Sequence, residues 1–162
     1  MRMIKFLLFS LMVMLLLSGC HSNATDTNGD IFQYKNSFVG DNNAVGNITN
    51  QLPAAEYLNG FELKTSEEPY GIILNYEGLI SDQEYRETVI HNATFLFTLV
   101  QNVDWITFNS DLGEYTITKE QLQEWFDIEL SEVQNEDELS ELIQVNLADT
   151  NKVNHFFKNG ER

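Results

Sequence analysis

Cysteine, proline and basic residues are all scarce in this chain of 162 residues. It has one cysteine, two prolines, and nine lysines and arginines together. A single cysteine excludes an intramolecular disulfide. The nine basic residues face 25 acidic ones, giving a formal net charge of −16. Because nucleic acid is bound by basic surfaces, no nucleic-acid partner is expected. The same excess of acid disfavours flat adsorption on anionic lipid.

A long hydrophobic run is also missing. The main apolar stretch covers residues 6–17, whereas a helix that spans a bilayer needs about 20 apolar residues. Arg2 and Lys5 precede the stretch, and the small residues Ser18 and Gly19 follow it. A basic start, a short apolar core and small residues at a cleavage point are typical of a secretory signal peptide.

The one cysteine directly follows this segment. Leu17-Ser18-Gly19-Cys20 resembles the lipobox of bacterial lipoproteins. The resemblance implies that the Cys20 thiol receives a diacylglyceryl group and that a dedicated peptidase cuts before Cys20. The protein is then expected on the extracytoplasmic face of the cell membrane, bound to the lipid bilayer through acylated Cys20. The alternative is a cysteine that merely packs in a signal helix.

The composition along the chain predicts four regions. Residues 1–19 are the signal peptide, 20–33 the lipidated cysteine with a flexible polar tether, 34–150 a single domain, and 151–162 a polar C-terminal tail. Residues 26–30, DTNGD, have the oxygen spacing of a calcium loop. The turn glycine and the final glutamate of such a loop are replaced by Ile31 and Ser37, so a solvated linker is favoured.

Hydrophobic periodicity predicts an α+β fold in the order helix, two strands, long helix, two strands, two helices. The simplest arrangement is a sheet of about four strands, mostly antiparallel, with helices packed on one face. The strand order stays open. The expected helix starts are an Asp41 N-cap, a capping box formed by Thr118 and Gln121, and a last helix after Asn135.

The long helix, predicted over residues 82–102, has an apolar stripe and a polar face. The stripe contains Leu96 and is expected to pack on the sheet. The polar face, expected to be exposed and to tolerate a charge at Thr98, consists of Glu84, Glu87, His91, Thr94, Thr98 and Gln101.

Several short segments resemble the domain of unknown function numbered 4825. They are YKNSFVGDN at 34–42, VGNI at 45–48, LP at 52–53 and EEPYGI at 67–72. This domain occurs in lipoproteins of Gram-positive, Bacillus-like bacteria and as an extracytoplasmic appendage of some antibiotic-sensor-type membrane metallopeptidases. The resemblance, from Tyr34 to about Trp125, implies an envelope-associated domain without an established activity. The peptidase motif His-Glu-x-x-His is missing from the sequence.

Candidate chemical groups are few. His91, with Glu84 and Glu87 on the same helix face, is either a metal half-site or pH-sensitive pair, or, as favoured, an exposed surface pair. Trp105 is either a contact residue or, as favoured, packed beneath a later helix. The acidic run between Asp127 and Glu141 is either a cation-binding surface or, as favoured, solvated surface. No catalytic residue, metal ligand or cofactor is predicted, and the binding residues stay unknown.

Three functional hypotheses follow. The first is a membrane-anchored extracytoplasmic lipoprotein that acts as a binding or regulatory module for an envelope protein or small ligand. The second is a small envelope hydrolase that uses a pair of carboxylates, since acidic residues are plentiful. The third is a structural envelope component. The first is favoured, so the protein is not expected to be an enzyme.

Overall fold

The computed structural model describes residues 29–79 and 81–160. The strands are β1 (Leu58–Lys64), β2 (Gly71–Tyr76), β3 (Trp105–Ser110) and β4 (Gly113–Thr118). The α-helices are α1 (Asn42–Thr49), α2 (Asp82–Leu99), α3 (Lys119–Phe126), α4 (Glu136–Leu147) and α5 (Thr150–Gly160). Short 3-10 helices lie at Ile31–Tyr34, Ala55–Tyr57 and Leu130–Glu132.

The four strands form one sheet in the order β1-β2-β3-β4. The outer pairs, β1 with β2 and β3 with β4, are antiparallel hairpins. The two central strands, β2 and β3, pair in parallel, so the chain must cross from one end of the sheet to the other between them. Helix α2 makes this crossover. The predicted α+β class and the mostly antiparallel sheet are therefore confirmed.

One face of the sheet is apolar and carries the helices. Its central positions are Ile72, Leu74, Ile106 and Phe108, all fully buried. Because side chains alternate between the faces of a strand, the intervening residues project to the opposite face. That face is more exposed, and the described helices leave it uncovered; it includes Ile73, Trp105 and Thr116.

The last two turns of helix α2, residues 92–99, are buried on all sides, and the prediction of an exposed polar face was wrong there. Thr94 and Thr98 are 0% and 4% exposed, much like Leu96 on the opposite stripe. The sheet lies on one side of α2, while α1, α4 and the 3-10 helix at 130–132 pack on the others. The two threonine hydroxyls donate to main-chain carbonyls four residues earlier, at 2.6 and 2.8 Å, so burial leaves neither unsatisfied.

The predicted helix starts are confirmed. The Asp41 carboxylate accepts the N–H groups of Asn43 and Ala44 at the start of α1. Thr118 and Gln121 form the reciprocal capping box of α3. The Asn135 side chain caps α4 by accepting the N–H of Glu138. These short polar side chains stabilise each helix by satisfying N–H groups that have no partner within the helix.

The ends of the domain differ from the sequence prediction. Residues 150–160 form helix α5 rather than a polar tail, because Val153 and Phe157 are buried in the core. At the other end, Ile31 is also buried, so the folded part begins before Tyr34. None of the helices within residues 29–79 and 81–160 combines the length and apolar character that crossing a membrane requires.

We predict that Thr98→Asp destabilises the protein as severely as Leu96→Asp, by at least about 3 kcal/mol, because each places an unpaired carboxylate in the core. Gln83→Asp is the control, since Gln83 is exposed in the first turn of α2, where acid is favourable. Urea unfolding of the three variants measures the effect. A Thr98→Asp variant as stable as the control would contradict the buried position of this helix face.

Candidate functional site

The residues singled out from the sequence do not form one common site within the described part of the chain. Cys20 and residues 26–28 lie outside the described residues. Asp30, at the end of the calcium-like stretch, is an N-cap: its carboxylate accepts the Phe32 N–H at 2.9 Å. Asp30, predicted to be part of a solvated linker, therefore also stabilises the start of the 3-10 helix at Ile31–Tyr34.

His91 is half-buried rather than exposed. Its ring stacks on Phe95 with a centroid distance of 4.9 Å, and its Nδ1 atom is buried without a hydrogen-bond partner among the described residues. It lines a cavity of about 280 Å³ together with Glu84 and Glu87, as the helix spacing predicted, and also with Glu56. Within the described residues, no three or more acidic, histidine or cysteine side chains are arranged to hold a metal ion.

The environment of His91 favours the neutral imidazole. Burial lowers the pKa of His91 below its usual value, because a charged ring loses hydration there. The side chain of the neighbouring Asn92 acts in the opposite direction without reversing the shift. The structure thus corrects the expectation of an exposed ion pair on the helix surface.

Trp105 lies on the uncovered face of the sheet, and its predicted position beneath a later helix was wrong. Its indole lies across Gly71 on the neighbouring strand, where an added Cβ atom would come within 2.2 Å of the ring. Its Nε1–H donates to the Pro69 carbonyl oxygen at 3.0 Å. Only glycine leaves room for this packing, so Gly71 and Trp105 act as a matched pair.

The acidic run is split by the fold. Asp127, Glu129 and Glu132 lie with Glu120 and Glu124 around a shallow exposed surface beside α3. Their side chains are solvated, as the sequence indicated. Lys119 is adjacent, and burial lowers its pKa, while Asp104 and Glu129 act in the opposite direction.

A groove of about 300 Å³ runs along strand β4. Its walls are four successive β4 residues and two helices: Glu114, Tyr115, Thr116 and Ile117 on one side, and Gln121, Glu124 and Trp125 of α3 with His155, Phe156 and Phe157 of α5 on the other. Successive side chains of a strand point to opposite faces. A cavity that four of them line must therefore follow the edge of the strand rather than lie on either face.

Aromatic rings in mutual contact build one wall of the groove. Tyr115 contacts Phe157 at a centroid distance of 4.7 Å, Phe157 contacts Phe156 at 5.3 Å, and Phe156 contacts Trp125 at 5.4 Å. Tyr115 also contacts Tyr85 of α2 at 5.4 Å. Such tilted and edge-on pairs stabilise each other beyond simple burial, so the wall is held in a defined shape.

Two basic side chains already use this aromatic cluster. The Lys152 ammonium lies 4.7 Å from the Trp125 ring centroid, and the Arg86 guanidinium lies 5.4 Å from that of Phe157. The Trp125 Nε1–H donates to the Lys152 carbonyl oxygen, which fixes the indole. The rings thus offer electron-rich faces that attract cations. Glu114 and Glu124, both exposed, add carboxylates at the groove.

Comparison with protein families identifies the first part of the chain. The model of the domain of unknown function DUF4825 matches residues 31–120. The chain belongs to this family. The matched region contains all four strands and α1 and α2 and ends within α3, so much of the aromatic wall of the groove lies beyond it. Comparisons with curated proteins and with solved structures found no match.

The groove does not follow from local sequence patterns, because its two walls are distant along the chain. The polar tail predicted over residues 151–162 includes Phe156 and Phe157, which the structure places in the wall of the groove. The signal that was available is the pair of adjacent phenylalanines itself, since two large apolar residues in a solvated tail have no packing partner.

We predict that His91→Gln makes the stability of the protein less dependent on pH. A depressed pKa in the folded state means that the unfolded chain binds more protons, so the wild type loses stability as pH falls below about 6.5. The measurement is urea unfolding of both proteins between pH 8 and pH 5. The advantage of the wild type over the variant should shrink with acidification. An advantage that grows instead would mean that His91 is charged and paired with the surrounding glutamates.

Proposed function

We propose that this protein is a lipid-anchored binding module on the extracytoplasmic face of the cell membrane, and that the groove along β4 is its ligand site. The groove carries the proposal: it combines an aromatic wall with carboxylates and lies at the edge of a rigid sheet. Its volume of about 300 Å³ is at the lower end of the range for ligand pockets.

The anchor is supported by the first twenty residues. A basic start, a short apolar stretch and the lipobox-like LSGC lead to the one cysteine of the chain. A diacylglyceryl group on Cys20 anchors a protein through its buried methylenes, each contributing about 0.8 kcal/mol. The polar residues that follow would then connect the anchor to a domain in which Ile31 is the first buried residue among those described.

The chemistry of the groove favours a ligand that combines apolar or planar groups with positive charge. Aromatic faces attract cations, most strongly when water is excluded. The net charge of −16 raises the local concentration of cationic ligands around the protein. The side chains of Arg86 and Lys152 already contact rings of the same cluster, so the protein itself contains cation–aromatic pairs at this place.

We predict that Cys20→Ser prevents lipid attachment. Wild-type cells grown with labelled palmitate should carry label on the protein in the membrane fraction, while the variant takes up none and is released or left as an uncleaved precursor. Gel fluorography of both fractions makes the measurement. Wild type without label, or a variant retained in the membrane unchanged, would show that residues 6–17 are themselves the anchor.

We predict that benzyltrimethylammonium, an aromatic cation, binds the full-length protein at the groove. Saturation-transfer NMR on the detergent-solubilised protein measures its affinity. Glu124→Lys should weaken binding about tenfold or more, since it replaces an attracting charge by a repelling one. Glu141→Lys is the matched control, because Glu141 is equally exposed in the middle of α4 and outside the groove. If both variants lowered the affinity for benzyltrimethylammonium equally, the cation would be attracted by the overall charge of the protein. The groove would then not be its binding site.

A further inference from the structure

The outer edge of β4 offers main-chain groups for a further strand. The Lys119 N–H donates to the Asp104 carbonyl, on the β3 side, whereas the Thr118 N–H turns away and donates to the Gln121 side chain. Main-chain groups alternate in direction along a strand. The N–H and C=O groups of Thr116 and Glu114 therefore also point away from β3, into the groove, and no described residue bonds to them.

The two edges of the sheet differ in how they are protected. Strand β1 has a register irregularity between Leu58 and Gly60 and an ion pair between Glu62 and Lys64, two features that discourage a further strand. Strand β4 pairs with β3 through six consecutive residues without a register shift. Thr116 and Glu114 on it are exposed. The edge at β4 is thus regular and accessible, and a helix, α5, lies across the groove from it.

A groove between a sheet edge and a helix has the shape that an extended peptide fills when it adds a strand. The alternation of side chains then specifies what the peptide must carry. Residues on the helix-bearing side of the sheet would meet Trp125 and Phe156, and residues on the uncovered side would lie beside Glu114. Apolar or aromatic residues suit the first side, and basic residues suit the second.

We infer that the groove binds an extended segment of another protein, in which basic and apolar residues alternate, as a fifth strand on β4. This inference rests on the proposed binding function and names its ligand class. A second copy of the chain is a poorer occupant, because pairing β4 with β4 would bring the carboxylates of Glu114 and Glu124 close to their counterparts in a molecule of net charge −16.

The first test uses a synthetic peptide of about six residues, alternating lysine with valine or phenylalanine, and the full-length protein in detergent. Two N-methylated versions of this peptide are also made. One carries N-methyl groups on the odd-numbered amides and the other on the even-numbered amides, so the two are isomers. Only one set of amides can face β4, so one isomer should bind about tenfold more weakly or worse and the other should bind as the parent does. Isothermal titration calorimetry measures all three. Equal affinity of the two isomers would overturn strand addition.

The second test changes the protein at one outward-facing amide. Thr116→Pro removes the N–H that points into the groove while leaving the bonds between β3 and β4 intact, and proline is tolerated in this way on edge strands. Peptide affinity should fall about tenfold. Thr116→Val is the control: it keeps the N–H and removes the hydroxyl that pairs with Thr107, and its affinity should equal that of the wild type. A thermal melt checks the folding of both variants.

The outcomes separate this inference from the proposed function. Binding of benzyltrimethylammonium that depends on Glu124, together with peptide isomers of equal affinity, would leave the binding module standing and overturn the fifth strand. Failure of both probes would overturn both. A concentration-dependent dimer that Thr116→Pro abolishes would identify a second copy as the occupant and would also overturn the inference.

Discussion

The parallel pairing of β2 with β3 is the constraint on which the rest of the structure depends. Two neighbouring parallel strands need a long crossover, and α2 supplies it on the apolar face of the sheet. Once α2 occupies that face, its own outer surface needs cover. Helices α1 and α4 and the 3-10 helix at 130–132 provide the cover, which places them on the same side of the sheet as α2.

The same constraint determines where a ligand can bind. Each central strand has a hairpin partner, so β1 and β4 become the two edges. Tyr85 of α2 holds the β3–β4 hairpin, since its hydroxyl donates to the Phe108 carbonyl at 2.7 Å and lies 3.0 Å from that of Gly113. Burial raises the pKa of Tyr85 to about 12, so this hydroxyl keeps its proton. Its ring contacts Tyr115, and the edge that borders the groove is thereby fixed to the core.

Local signals predicted the elements, and long-range packing decided their surroundings. The caps at Asp41, Thr118 and Asn135 depend on residues within four positions, and each was predicted from the sequence. The burial of Thr98 was not, because a threonine that bonds to its own helix is compatible with either solvent or core. The groove escaped prediction for a similar reason. The groove forms where β4 meets α5, which lies some forty residues further along the chain. The hydrophobic periodicity within either segment does not indicate that the two are in contact.

Amide hydrogen exchange of the full-length protein, resolved by residue, tests the central claim that β4 presents a regular, unpaired edge at the groove. We expect slow exchange at Tyr115 and Ile117, whose N–H groups face β3, and fast exchange at Glu114 and Thr116, whose N–H groups face outward. Addition of the alternating lysine peptide should slow the second pair and leave the first unchanged. Slow exchange at all four amides in the protein without peptide would show that the edge of β4 is already covered and that no further strand can be added there.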